Sequence, residues 1–103
     1  MTADKAWTLE RDAAHIAWLT LDKPGSSANV LSRDILVELD GHLRTLAAQP
    51  PQGVVVRSGK KSGFIAGADI KEFTALSTPA EAYALIRNGQ QVLDRLEALP
   101  CPT

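Results

Sequence analysis

A strand, helix, strand pattern constrains the fold of this chain more than any other feature. The apolar run at residues 15–21 predicts a strand, and an amphipathic pattern that begins at Ser32 predicts a helix to about Ala48. The continuous apolar run 54–56 predicts a second strand, which we expect to be covered on both faces. Two strands joined by such a helix are predicted to pair in parallel through a right-handed crossover.

Shorter signals complete the predicted fold. Residues 7–12 alternate in polarity, which predicts a first strand ahead of the run at 15–21. Residues 69–76 predict a short helix, and the capping box at 78–81 predicts the start of a longer helix that ends near residue 99. No linker or repeat divides the chain. The sequence therefore predicts a single α/β unit, a small mixed sheet with covering helices.

Composition excludes several classes of function. The 103 residues are 45% hydrophobic and 22% charged with a net charge of -1, as in one ordinary folded domain. Without a basic block a nucleic-acid partner is not expected, and no apolar run approaches the roughly 18 residues of a membrane span. The polar N-terminus lacks the apolar segment of a signal peptide, so we expect a cytoplasmic protein.

The residue types of metal and nucleophile sites are sparse. Cys101 lies between two prolines and is predicted to be a small apolar filler. His15 and His42 are the two histidines, and His15 is predicted to be a surface residue at the entrance of a strand. We therefore expect no metal site and no cysteine chemistry.

The stretch 64–73, Phe-Ile-Ala-Gly-Ala-Asp-Ile-Lys-Glu-Phe, is the best candidate for a binding site. Its small residues leave the main chain accessible to a ligand. A helix that begins near Asp69 would direct free amides and a partial positive charge at that ligand. Such a place suits an anionic or carbonyl oxygen. The preceding Gly/Lys/Ser segment, residues 58–63, is predicted to be a mobile basic loop.

Residues 64–72 resemble the first signature of the crotonase (enoyl-CoA hydratase/isomerase) superfamily. Three earlier segments agree with that family in order and spacing, namely 19–24, 29–32 and 53–58. The resemblance covers nearly the whole chain and is strongest to the hydratase part of multifunctional fatty-acid oxidation proteins. It implies a truncated crotonase-like (ββα) fold in which residues 1–103 are the N-terminal portion of the domain and the remainder is absent.

The resemblance also implies a site for an acyl-CoA thioester. The main-chain amide of Ala68 would donate to the thioester oxygen as half of an oxyanion hole. Lys71 would reach a CoA phosphate, and Lys23, Lys60 and Lys61 are looser candidates. Ser26 stands where many relatives have a basic residue. The residues implied in CoA binding are Ala66, Gly67, Asp69, Ile70 and Lys71.

No covalently bound cofactor is implied, since the CoA thioester is the substrate. In the family the second oxyanion amide and the catalytic glutamates would follow Thr103, so we expect the chain alone to be inactive. Asp69 and Glu72 are expected to serve a helix start and the solvent. Another crotonase-type reaction and a non-catalytic CoA-binding or interaction module remain open. An uncovered strand edge and apolar helix face predict a partner, either another copy or the rest of the domain.

Overall fold

The computed structural model describes residues 5–103 and contains a three-stranded sheet in the order β1-β2-β3. Strand β1 is Trp7–Arg11, β2 is Ile16–Leu21 and β3 is Gly53–Ser58. β1 and β2 are antiparallel, whereas β2 and β3 are parallel and are joined through helix α1, Arg33–Ala48. The predicted mixed sheet and its parallel pair are confirmed.

Helix α1 covers one face of this sheet because its apolar residues recur at helical spacing. Ser32 caps the helix as predicted, its Oγ accepting from the Ile35 amide at 3.4 Å. Where β1 meets α1, the Trp7 indole donates to the Ile35 carbonyl at 2.9 Å. The Glu38 carboxylate accepts the amides of Ala6 and Trp7 at 2.9 and 2.8 Å. The buried residues of α1 are Ile35, Leu36, Leu39, Leu43 and Leu46.

The expectation that β3 is covered on both faces is wrong. Val54 is buried toward α1, but Val55 points to the other face and is 37% exposed. Among residues 5–103 that face is lined only by side chains of the sheet itself. The Arg57 guanidinium lies 4.7 Å from the centre of the Trp18 ring. The Arg57 Nε donates to the Thr20 hydroxyl at 2.9 Å. The apolar run therefore marks a strand that is open on one side.

Two further helices follow the sheet, α2 at Ile70–Thr74 and α3 at Pro79–Glu97. Thr78 caps α3 as predicted, with its hydroxyl accepting from the Glu81 amide at 3.2 Å. The Glu81 carboxylate accepts from the Ser77 amide at 3.1 Å, one residue before the expected partner. α3 ends two residues before the predicted position.

α3 packs on α1, and Val92 is its one buried residue. A Cβ atom at Gly89 would lie 3.3 Å from Leu36 Cδ1, so this glycine allows the two helices to approach closely. Tyr83, Ile86 and Leu93 remain exposed. At the end of the chain the Pro102 carbonyl accepts from the Val54 amide at 2.9 Å and so lies against β3. In the described part of the chain, none of the helices has the length and apolarity needed to cross a bilayer.

Candidate functional site

The main chain of the signature segment is held by the residues that precede α1. The Ala66 amide donates to the Asn29 carbonyl at 2.8 Å, and the Leu31 amide donates to the Gly67 carbonyl at 2.8 Å. The Asp69 amide donates to the Leu31 carbonyl at 3.1 Å, which places Leu31 opposite Ala68 in a short parallel bridge. The segment is thus fixed through its backbone.

This pairing leaves the Ala68 amide free. In a parallel bridge the residues on either side of one partner make the hydrogen bonds, so that partner's own N–H faces away from the other strand. Among residues 5–103 the Ala68 amide has no acceptor, and the residue is exposed. The amides of Gly67 and Ile70 likewise have no acceptor within that part of the chain. The predicted oxyanion donor is therefore available to a ligand.

Gly67 allows the turn in the middle of the segment. Its φ of +122° lies in a region that L side chains rarely adopt. A Cβ atom there would meet no heavy atom within 4 Å, so the backbone conformation and not a shortage of space requires glycine.

The prediction that a helix start supplies free amides is wrong for Lys71. Helix α2 has only five residues, so its dipole is small. The Asp69 carboxylate caps this helix and accepts the Lys71 amide at 3.0 Å. The Glu72 carboxylate accepts the Arg33 amide at 2.9 and 3.1 Å, which caps α1 rather than its own helix. Both carboxylates are bound to helix starts.

Lys60 is not a free ligand for a phosphate. Its ammonium group donates to the Asp22 carboxylate and to the Lys23 carbonyl, each at 2.7 Å, and the side chain is only 10% exposed. The mobile loop predicted for residues 58–63 is instead hydrogen-bonded to the end of β2, since the Gly59 amide donates to the Leu21 carbonyl at 2.8 Å. Lys61 and Lys71 are exposed and remain candidates.

Two hollows show how much of a site the chain forms. A hollow of about 140 Å³ lies beside the signature and is lined by Ala28, Asn29, Ser62, Gly63, Phe64, Ile65 and Ala66. This is below the roughly 300 Å³ at which pockets for whole ligands begin, so it can hold one part of a ligand. A larger hollow, about 470 Å³, lies along α1 and is lined by residues that include Asp34, Glu38 and Lys23 but no signature residue.

Asn29 is a residue of the site whose role the sequence reasoning missed. It was part of the resemblance but had no predicted role. The structure buries it, leaving 2% exposed, and its side chain bonds to four residues of three other segments. A single asparagine among small turn residues carries no local signal of burial, because two of its acceptors, Ser58 and Phe64, lie 29 and 35 positions away in sequence.

Comparison with known proteins supports the resemblance. The chain is 35% identical over 105 residues to the fatty acid oxidation complex subunit alpha of Vibrio campbellii and 38% identical over 103 residues to that of Idiomarina loihiensis. Each match covers 99% of this chain but only 15% and 14% of the relative. No family model matches the chain.

Solved structures give the same assignment. The enoyl-CoA hydratase of Mycobacterium smegmatis superposes with a TM-score of 0.85 at 29% identity, over 96% of this chain and 38% of that one. An enoyl-CoA hydratase/carnithine racemase of Magnetospirillum magneticum gives 0.84 at 28% identity, over 97% and 38%. The chain has part of a crotonase fold, and its resemblance to the crotonase superfamily is confirmed. Within that superfamily its sequence is similar to the alpha subunits of fatty acid oxidation complexes.

Proposed function

We propose that the chain is the acyl-CoA-binding part of an enoyl-CoA hydratase/isomerase that acts in fatty-acid β-oxidation in the cytoplasm. Residues 1–103 would form the N-terminal portion of its crotonase-like domain. The observation that carries the proposal is the Ala68 amide, which is exposed and without an acceptor among residues 5–103 while the amides of Ala66 and Asp69 are paired.

In the proposed mechanism the Ala68 amide donates to the thioester carbonyl oxygen of an acyl-CoA. Negative charge grows on that oxygen as the thioester passes toward an enolate, and the donor stabilises it. The bridge to Leu31 holds the amide in place before the substrate binds, so little reorganisation is needed. Loss of one such donor typically lowers the rate by about 10²–10³-fold. A backbone donor needs only a small side chain at its position.

CoA would lie along the same segment. Because the amides of Ala66 and Asp69 are already bonded to residues 29–31, contacts with the adenine would fall to the free amide of Ile70 and to the carbonyl of Ala66. No described residue donates to that carbonyl. The exposed Lys71 would supply positive charge for a phosphate. The substrate is then a CoA thioester, with no covalently bound cofactor.

We also propose that this chain alone does not turn over its substrate. Hydration needs a general acid or base beside the bound thioester. The carboxylates of the signature, Asp69 and Glu72, are bound to helix starts. Incubation of the purified chain with crotonyl-CoA should give no hydration above the uncatalysed rate, measured by loss of enoyl absorbance. Turnover would contradict this part of the proposal.

A titration followed by amide NMR tests the binding site. CoA should shift the amide signals of residues 66–71, and crotonyl-CoA should shift the Ala68 signal further, since only the thioester has a carbonyl oxygen for that donor. The matched control is a butyl thioether of CoA, which has the chain but no carbonyl. Equal effects of thioester and thioether at Ala68 would contradict the oxyanion role. The absence of any shift would contradict CoA binding.

The exposed face of α3 bears on the proposed partner. Tyr83, Ile86 and Leu93 lie on the outer side of this helix. The chain covers 38% of the Mycobacterium smegmatis hydratase, and we propose that the rest of such a domain covers this face. Alone, the chain should then self-associate, and Leu93→Lys should reduce the association seen by sedimentation. A wild-type chain that stays monomeric at high concentration would contradict this proposal.

A further inference from the structure

We infer that Asn29 is the positioning residue of the signature segment, and that its buried side chain sets where the Ala68 amide lies. The inference rests on the proposed function for the role of Ala68. It concerns a residue that does not itself touch the proposed thioester, and it follows from the hydrogen bonds of one side chain.

The Asn29 carboxamide joins the ends of two strands to the signature. Its Oδ1 accepts the Lys23 amide at 3.0 Å. Its Nδ2 lies 3.0 Å from the Leu21 carbonyl, from the Ser58 hydroxyl and from the Phe64 carbonyl. The group has two N–H hydrogens for these three acceptors, so at least one hydrogen is shared. The acceptors belong to the end of β2, the end of β3 and the first residue of the signature.

The backbone of residues 29–31 in turn binds the signature segment. The Asn29 carbonyl accepts the Ala66 amide, and two residues later Leu31 bonds with Gly67 and Asp69 on either side of Ala68. No side chain of residues 64–68 makes a hydrogen bond within the described part of the chain. Apart from Ile65, which packs against the apolar core, the signature segment therefore receives its place from residues 29–31, and Asn29 ties these residues to the sheet.

Only an amide of this size satisfies the arrangement. An Asn29→Asp side chain has the same shape but, when ionised, donates no hydrogen to the three acceptors around it. Asn29→Ala leaves the Phe64 carbonyl without a donor and the Lys23 amide without an acceptor, whereas the Leu21 carbonyl and the Ser58 hydroxyl still accept from Gly59 and Lys60. In both variants the strands keep their own ladder, while the link from strands to signature is lost. A displacement of about 1 Å at a reacting group is enough to lower catalysis by about 100-fold.

Amide hydrogen exchange on the full 103-residue chain tests the inference without any ligand. In Asn29→Ala the protection of the Leu31 and Ala66 amides should fall about tenfold or more relative to the amides of β2, as a lost buried hydrogen bond predicts. Leu46→Ala, which destabilises the core elsewhere, should not lower the protection of Ala66 relative to β2. Equal changes in the two variants would overturn the inference, because any loss of stability would then have the same effect.

A measurement on the wild type covers the case in which Asn29→Ala does not fold. The chain contains two asparagines, Asn29 and the exposed Asn88. The side-chain amide hydrogens of Asn29 should exchange at least about tenfold more slowly than those of Asn88, as the hydrogen bonds of a buried group require. Exchange as fast as that of Asn88 would overturn the inference.

CoA titration of the same variants separates this inference from the proposed function. If the wild type binds CoA, Asn29→Ala should weaken binding about tenfold, because the binding segment is no longer fixed, and Asn88→Ala should leave it unchanged. If the wild type binds no CoA, the proposed function fails, whereas the exchange data alone still decide whether Asn29 positions the segment. Unchanged CoA affinity in a folded Asn29→Ala chain would overturn the inference.

Discussion

The sheet with α1 and the signature segment are held in place in different ways. In the sheet and α1, apolar side chains are buried against one another, with Leu19, Leu21 and Leu46 fully enclosed. In the signature the side chains of Phe64 and Ile70 are exposed, Ile65 alone packs against the core, and hydrogen bonds of the main chain fix the segment. Side-chain packing fixes the first region, and backbone pairing to residues 29–31 fixes the second.

This difference has a consequence for function. A segment buried within the core would have its amides inside the protein, where a ligand could not reach them. A segment fixed by only some of its amides keeps the remaining amides free, as Gly67 and Ala68 show. The apolar core then provides the rigid support that positions the signature segment.

The largest expected effect tests the packed region. Leu46→Ala removes a fully buried side chain of α1 and should lower the free energy of unfolding by about 2–5 kcal/mol, measured by urea denaturation. Val37→Ala on the same helix is the control, since Val37 is 61% exposed and its loss should cost less than about 0.5 kcal/mol. Similar losses in the two variants would mean that α1 is not packed as described.

The second prediction tests the backbone-held region with a pair of glycines. Gly67→Ala should lower stability by about 1–3 kcal/mol or displace the segment, because an L residue is strained at the φ of +122°. Gly41→Ala, in α1, should raise stability by about 0.5–1 kcal/mol through helix propensity. Added Cβ atoms at both positions meet nothing within 4 Å, so the two variants differ in backbone conformation and not in crowding. Thermal unfolding of both would show whether the signs differ.

The smallest effect concerns the hairpin between β1 and β2. The indole N–H of Trp18, followed by the amides of Ile16 and Ala14, lowers the pKa of Asp12 below its ordinary 3.8. Since the folded pKa is depressed, the carboxylate stabilises the fold above 3.8, and this contribution is lost as the pH falls through the folded value. Asp12→Asn should therefore be less stable than the wild type near neutral pH.

The measurement for Asp12 is the difference in unfolding free energy between the two chains as the pH is lowered. The difference should shrink once the pH passes below 3.8. A difference that stays constant down to the acid transition would show that the hairpin does not depend on the charge of Asp12.

The sequence predicted much of the fold because its signals are local. Ser32 and Thr78 begin their helices as expected, since a capping hydroxyl acts on amides within three residues. The parallel pairing of β2 and β3 followed from the order of elements. The prediction that β3 is covered on both faces was wrong at Val55, because a continuous apolar run does not reveal how many layers of structure lie around a strand.

Features of the candidate site also divide into those that the sequence sets and those that the tertiary structure sets. The sequence by itself determined which residues form the signature and that small residues stand at positions 66–68, since these are properties of composition and order. Only the tertiary structure decided that Lys60 is held by Asp22, that Asn29 is buried, and that the Ala68 amide is left without an acceptor among residues 5–103. Hydrogen bonds between residues 29 and 35 positions apart depend on how the elements pack, and no local pattern records that packing.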